Sequence, residues 1–304
     1  MYLSKITGNI LNKFNGQKIN LLYEPQRNLF DLMLSEVGFD LFASKNYNFS
    51  GLKESNLRLL NNDQEDLFNY NVGITNNIIG YSTQKRFSTQ HLNTIIFTHS
   101  YKPNQIKKED VVLLDQNLVR EMKVFFSKDI AESWKLNNRY VYNYGIPLDK
   151  LYDGKEVRST KVLLLNLEQL PNIEPLAQFL HGHGIEIDIL NEIHFDIDII
   201  RELFNKYEVC IDLGDHNIIN LLCATACGCK TVTYSTPMIM SNYSQTPNLY
   251  TAKTVQDLIT AIKQAVVSPV SEYQPYLEYN YSFNKFKQST TNLINQANDE
   301  AYIL

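Results

Sequence analysis

Residues 215–232 read DHNIINLLCATACGCKTV. A polar turn leads into an apolar run, the run closes on Ala-Cys-Gly, and a short β-branched stretch follows. In nucleotide-using α/β proteins this order sets a helix N-terminus against a ligand. Leu221, Leu222, Ala224 and Ala226 can face a sheet, Gly228 can stop the helix, and Thr231, Val232 and Thr233 can start the next strand. An ordinary helix and strand of a doubly wound domain would read the same way, so the flanking chain has to give the segment its meaning.

Upstream, the pattern alternates. The spacing predicts strands at 161–166 (KVLLLN), 186–190 and 209–213, with helices at 174–183, ended by Gly184, and at 197–206. Downstream, a loop rich in Ser, Tyr and Pro precedes an amphipathic helix at 254–266 with Thr254 as N-cap, and a polar helix covers 283–297. The first half repeats the theme. Strands are expected at 19–24, 39–43, 72–75, 94–98, 111–114 and 124–126, and helices at 27–37, 81–91 and 129–136. The Asn-rich stretch 45–66 reads as a loop or marginal helix, and 140–152 (YVYNYGIPLDKLY) as a linker. Strands alternating with helices predict mostly parallel sheets covered on both faces. Two such sheets form an α/β fold of two Rossmann-like domains with a ligand cleft between them. The boundaries read as 1–150 for the N-terminal domain, 151–275 for the C-terminal domain and 276–304 for a last helix returning to the first domain.

Composition agrees and narrows the class. The chain has 304 residues, enough for two domains of about 150 residues each. Its 44% apolar and 20% charged residues fit a soluble globular protein. No apolar run reaches the ~18 residues that span a bilayer, and the start lacks a signal-peptide core, so the cytoplasm is the expected location. Cys210, Cys223, Cys227 and Cys229 sit on elements expected to be buried and form no CxxC pair, so neither a disulfide framework nor a metal is expected. Residues 1–150 carry 18 Lys+Arg against 15 Asp+Glu, and residues 151–304 carry 10 against 18. The second half is therefore the acidic one, an adverse setting for a phosphate-bearing ligand unless local groups override it.

The opening segment resembles the donor-domain signature of the large retaining GT-B glycosyltransferase family (family 4, group 1). There a carboxylate, seven residues and a second carboxylate precede a run like EAMACGxPVV. Asp215 matches the first carboxylate, Cys223 stands at the second, and Lys230 replaces the usual Pro. Other stretches are similar in the same order: 124–134 (VFFSKDIAESW), 142–151 (YNYGIPLDKL) and 279–286 (YNYSFNKF). The resemblance implies the GT-B fold, with a nucleotide-sugar as substrate, no cofactor and no metal, transfer with retention, and a last helix that crosses back to the N-terminal domain.

Such transfer requires a held nucleotide, stabilised charge on the leaving diphosphate, and a positioned acceptor hydroxyl. By the resemblance, His99 at the end of the TIIFT strand and Asp215 are the catalytic candidates. Asp215 also fits a plain helix N-cap, and His99 a partly exposed loop residue. His216, Asn217, Asn220, Cys223 and Lys230 are the donor-binding candidates, and Ser100, Tyr101, Lys102, Asn143 and Gly145 line the acceptor side. Two departures favour a rival reading, a non-catalytic glycosyltransferase-like subunit or sugar-binding protein. Cys223 cannot hold a ribose diol as a carboxylate does, and after VLLLN the chain runs Leu167, Glu168, Gln169, Leu170 and Pro171 with no cation. A sugar epimerase shares this architecture but matches the motif order less well. The acceptor is open among saccharide, lipid-linked glycan, protein and nucleic-acid base, and a homo- or hetero-oligomer is compatible with the sequence.

Overall fold

The computed structural model describes residues 21–24, 29–44, 57–60, 72–75, 93–98, 121–134, 139–155, 157–166, 173–192, 196–214, 218–236, 239–240 and 243–300. Among these, the chain divides into two compact units. Residues 1–26, 34–143 and 286–304 belong to the first, and residues 27–33 and 144–285 to the second.

The first unit holds strands β1 (Leu21–Glu24), β2 (Leu41–Ser44), β3 (Leu57–Leu60), β4 (Val72–Thr75), β5 (Asn93–Thr98), β6 (Glu121–Phe125) and β7 (Arg139–Val141). They form one sheet in the order β3-β2-β1-β4-β5-β6-β7, every pair parallel. Strands buried on both faces carry continuous apolar runs. Ile95, Ile96 and Phe97 on β5, and Val124 and Phe125 on β6, are each no more than 1% exposed. Helix α1 (Leu29–Ser35) follows β1, and α2 (Lys128–Trp134) follows β6.

The second unit holds β8 (Ser159–Leu165), β9 (Ile187–Leu190), β10 (Tyr207–Asp212), β11 (Lys230–Tyr234) and β12 (Leu249–Ala252). Their order is β12-β11-β10-β8-β9, again all parallel. Between and after them come α3 (Ile173–Gly182), α4 (Ile197–Asn205), α5 (Ile218–Ala226), α6 (Val255–Val267), α7 (Gln274–Asn280) and α8 (Phe283–Glu300). Alternate residues Val162 and Leu164, Val209 and Ile211, and Val232 pack with α3 and α6 into one core. Helix α5 is buried along its whole length, which is why its sequence is apolar all round. From residue 286 onward α8 belongs with the first unit. There Asn93 Nδ2 donates to Ala297 O at 2.6 Å and the Tyr142 hydroxyl donates to Ser289 O at 3.3 Å.

Two doubly wound parallel sheets are as expected from the alternation. Three expectations need correction. The stretch 45–66 contains strand β3, the 140–152 linker begins inside strand β7, and the loop after β11 contains strand β12; α7, outside the expected elements, precedes the last helix. The expected helix at 81–91 and strand at 111–114 lie outside the described residues.

Candidate functional site at the carboxyl edge of the second sheet

In open parallel sheets, ligands bind beyond the carboxyl ends of the strands, where the strand order reverses. The second sheet reverses between β8 and β10, where Leu165 lies in register with Asp212. Each of these two strands, apolar over the buried residues that lead to its carboxyl end, ends in a buried polar residue. Asn166 follows β8 and is 5% exposed; Asp212 closes β10 and is 4% exposed.

Around them a polar cluster is built from four hydrogen bonds. The Asn166 main-chain N–H donates to Leu190 O at 2.8 Å, which docks the β8 end against β9. Its side-chain Nδ2 donates to Asn191 Oδ1 at 2.7 Å. Asp212 accepts from the Gly214 N–H at 3.0 Å through Oδ1 and from Asn220 Nδ2 at 2.7 Å through Oδ2. The first contact shapes the turn after the strand. The second ties that turn to the first helical turn of α5, so strand end and helix start form one rigid piece. Asn220 is itself 5% exposed.

The site candidates named from sequence distribute as follows. Asn220 lies in this cluster. Cys223, one turn further along α5, is 0% exposed, and burial pushes its thiol well above the ordinary range. It is a packing residue against the sheet. Lys230 is placed at the opposite edge, which corrects the expectation that it lies with the donor-side residues. It is the first residue of β11, 2% exposed, and its Nζ donates to Glu208 Oε1 at 2.7 Å and to Val266 O at 3.3 Å. Four further residues of strand, roughly 13 Å at 3.3 Å per residue, separate it from the carboxyl edge. Asn143 is exposed and closes the first unit, whereas Gly145 is buried in the second, beside Ile146, whose N–H donates to Tyr281 O at 2.9 Å. His99, Ser100, Tyr101 and Lys102, beyond the end of β5, and Asp215, His216 and Asn217, between Gly214 and α5, lie outside the described residues.

The amino edge of the same sheet carries a second, structural network. The Arg158 guanidinium donates to Tyr207 O at 2.7 Å, to Cys227 O at 2.5 Å and to Asp153 Oδ1 at 2.9 Å. Asn205 extends it, accepting from the Gly154 N–H at 2.8 Å and donating to Tyr152 O at 2.9 Å. This network locks the loop before β8 beneath the α5–β11 turn.

Sequence reasoning named Asn220 but passed over Asp212, Asn166 and Asn191. The available signal was positional. VLLLN and VCID both end an apolar strand in a polar residue, and both strands flank the reversal point, which only the sheet order identifies.

No family model matches this sequence, and no curated protein matches it. Solved structures do match along nearly the whole chain. Anabaena HepE, solved in complex with UDP and glucose, aligns with a TM-score of 0.64 at 10% identity, covering 92% of this chain and 100% of that one. Sucrose-phosphate synthase from Thermosynechococcus elongatus aligns at 0.60 and 10%, covering 92% and 99%. The UDP-GlcNAc 2-epimerase of Methanocaldococcus jannaschii aligns at 0.50 and 10%, covering 92% and 100%. The fold is therefore that of the GT-B proteins.

Proposed function

We propose that this protein is a glycosyltransferase that moves a sugar from a nucleotide-sugar donor to an acceptor hydroxyl, with retention and without a metal. The observation that carries the reading is the pair of doubly wound parallel sheets in one chain, similar to GT-B structures over 92% of its length, with a polar cluster at the reversal point of the second sheet. Fold alone does not separate transfer from epimerisation. The order of sequence motifs favours transfer, because the segment after β10 and those at 124–134, 142–151 and 279–286 resemble the glycosyltransferase pattern. In this reading His99 faces the transferred sugar, Asp215 accepts hydrogen bonds from its hydroxyls, and the first turn of α5 faces the leaving group.

One specific observation supports the second reading, a glycosyltransferase-like subunit without catalysis. Cys223 is sealed in the core and brings no acceptor to a nucleotide. A single experiment separates the two. Purified protein is mixed with labelled nucleotide-sugars and, in parallel, with saccharide, lipid-linked glycan, protein and nucleic-acid acceptors to take the sugar, and both thermal stabilisation and release of the nucleoside diphosphate are followed. A donor at about 100 times its Kd adds about 2.7 kcal/mol to stability. Turnover should fall by roughly 100-fold or more in His99→Ala and in Asp215→Ala, the scale of a lost acid–base or positioning group. Stabilisation without turnover identifies a sugar-binding subunit. No stabilisation by any donor removes the transferase reading.

A further inference from the structure

We infer that Asn220 holds a hydroxyl group of a polyhydroxylated ring through its Oδ1, so that this one side chain in the first turn of α5 selects a hydroxyl and leaves the phosphates of the leaving group to other groups of that turn. The inference rests on the donor reading for its ligand class, but its geometry is independent of that reading. Asn220 Oδ1 is buried and has no hydrogen-bond partner among the described residues, while the Nδ2 of the same amide is engaged. Buried polar atoms are paired in the great majority of cases, so an unpaired one calls for a ligand or another specific role.

The direction of the amide follows from its neighbour. Asp212 Oδ2 accepts from Nδ2, and Asp212 Oδ1 is engaged by the Gly214 N–H. A flipped amide would set its carbonyl oxygen against a carboxylate oxygen, acceptor against acceptor. Asp212 therefore keeps the amide oriented with its carbonyl as the remaining group, offering two lone pairs and no proton. Such a group selects hydrogen-bond donors. A sugar or ribose hydroxyl satisfies it, whereas a phosphate oxygen, itself an acceptor, is repelled.

The charge of the surrounding segments points the same way. The sequence after β8 (166–172, NLEQLPN), after β9 (191–196, NEIHFD), after β10 (213–217, LGDHN) and after β11 (235–248, STPMIMSNYSQTPN) contains no Lys or Arg. Those segments carry Glu168, Glu192, Asp196 and Asp215, and Asp212 stands at the strand end. The first cation met is Lys253, after edge strand β12, two strands away from β10. Strand-end segments whose sequence carries no Lys or Arg, together with a fixed carbonyl acceptor, suit a neutral, hydroxyl-rich group.

The test is calorimetric binding of the full chain to four probes: UDP, 2′,3′-dideoxyuridine 5′-diphosphate, glucose and inorganic pyrophosphate. We expect a hydroxyl-bearing probe to bind wild-type protein and to lose about tenfold in affinity in Asn220→Leu, with any pyrophosphate affinity unchanged. Asn220→Ser, which keeps a short donor near Asp212 and removes the carbonyl, should show the same loss if the Leu variant does not fold. Loss for UDP that is absent for the dideoxy analogue assigns the hydroxyl to the ribose, and loss for glucose assigns it to the transferred sugar. Glucose binding that depends on Asn220, without UDP binding, upholds this inference and overturns the nucleotide-sugar reading. UDP binding that is indifferent to Asn220 does the reverse. Equal loss for pyrophosphate overturns the inference, and failure of both hydroxyl-bearing ligands to bind overturns it together with that reading.

Discussion

At the scale of single residues, Gly228 shows how one position can answer two demands. It ends α5 with a φ of +83°, the left-handed conformation in which a Cβ is strained. A Cβ built there would also lie 2.8 Å from Arg158 Nη2 and 2.8 Å from Asp153 Oδ2. Both atoms are ends of flexible side chains, but the guanidinium is held by three main-chain carbonyls, those of Phe204, Tyr207 and Cys227, and cannot withdraw without losing them. Gly228→Ala should therefore destabilise the protein by about 1–3 kcal/mol, the range of a strained backbone position with a lost contact. Urea denaturation measures this, and a loss below 0.5 kcal/mol would show that the Arg158 network yields freely. The stop at Gly228 was readable from its place after an apolar run. Arg158 and Asp153, some seventy residues earlier, were not, because only the parallel return of β8 beside β10 brings them under the turn. Asn220 is the same case in the site. Its type and its place on the helix were readable, but its pairing with Asp212 depends on how the strand end meets the first helical turn.

Elements explain which parts of the fold sequence reasoning reached. Central strands such as VLLLN and TIIFT are buried on both faces, so their apolar runs stand out from any background. The three strands missed, β3, β7 and β12, are all edge strands. An edge strand is paired on one side only and is kept short or polar to avoid further pairing. Thus β7 is Arg-Tyr-Val, with Val141 48% exposed, and β12 is Leu-Tyr-Thr-Ala, with only its last residue fully buried. Helix α6 was readable because both of its signals are local. Its apolar face, Leu258, Ile259, Ile262 and Ala265, is buried in the second core. Its start is a capping box, in which Asp257 N–H donates to Thr254 Oγ1 at 3.1 Å and Thr254 N–H donates to Asp257 Oδ2 at 3.1 Å. Thr254→Ala removes the first of these bonds and should cost about 1 kcal/mol in urea denaturation. Thr254→Ser retains the hydroxyl and should lie within a few tenths of wild type. Equal losses for the two variants would mean that the cap acts through packing of the Thr methyl and not through its oxygen.

At the scale of the whole molecule, composition supplies a separate reporter for each unit. The single tryptophan, Trp134, ends α2 in the first unit, and all four cysteines belong to the second. Each cysteine is buried and unbridged. Burial pushes the thiols of Cys210, Cys223 and Cys227 well above their ordinary range, and that of Cys229 up to about 12. The thiolate is the reacting species, so native protein should give no labelling with a disulfide reagent at neutral pH. In denaturant, thiol labelling should follow opening of the second core, while Trp134 fluorescence should follow the first. Each unit has its own sheet and its own apolar interior, and chains with two such cores commonly depart from a single all-or-none transition. We therefore expect two denaturation curves with distinct midpoints. Addition of a ligand that binds the carboxyl edge of the second sheet should raise the thiol midpoint further than the fluorescence midpoint, because binding stabilises the fold that carries the site. Coincident curves that move together with ligand would show instead that the two sheets unfold as one cooperative body, in which case stability lost at Gly228 or Thr254 would register equally at Trp134.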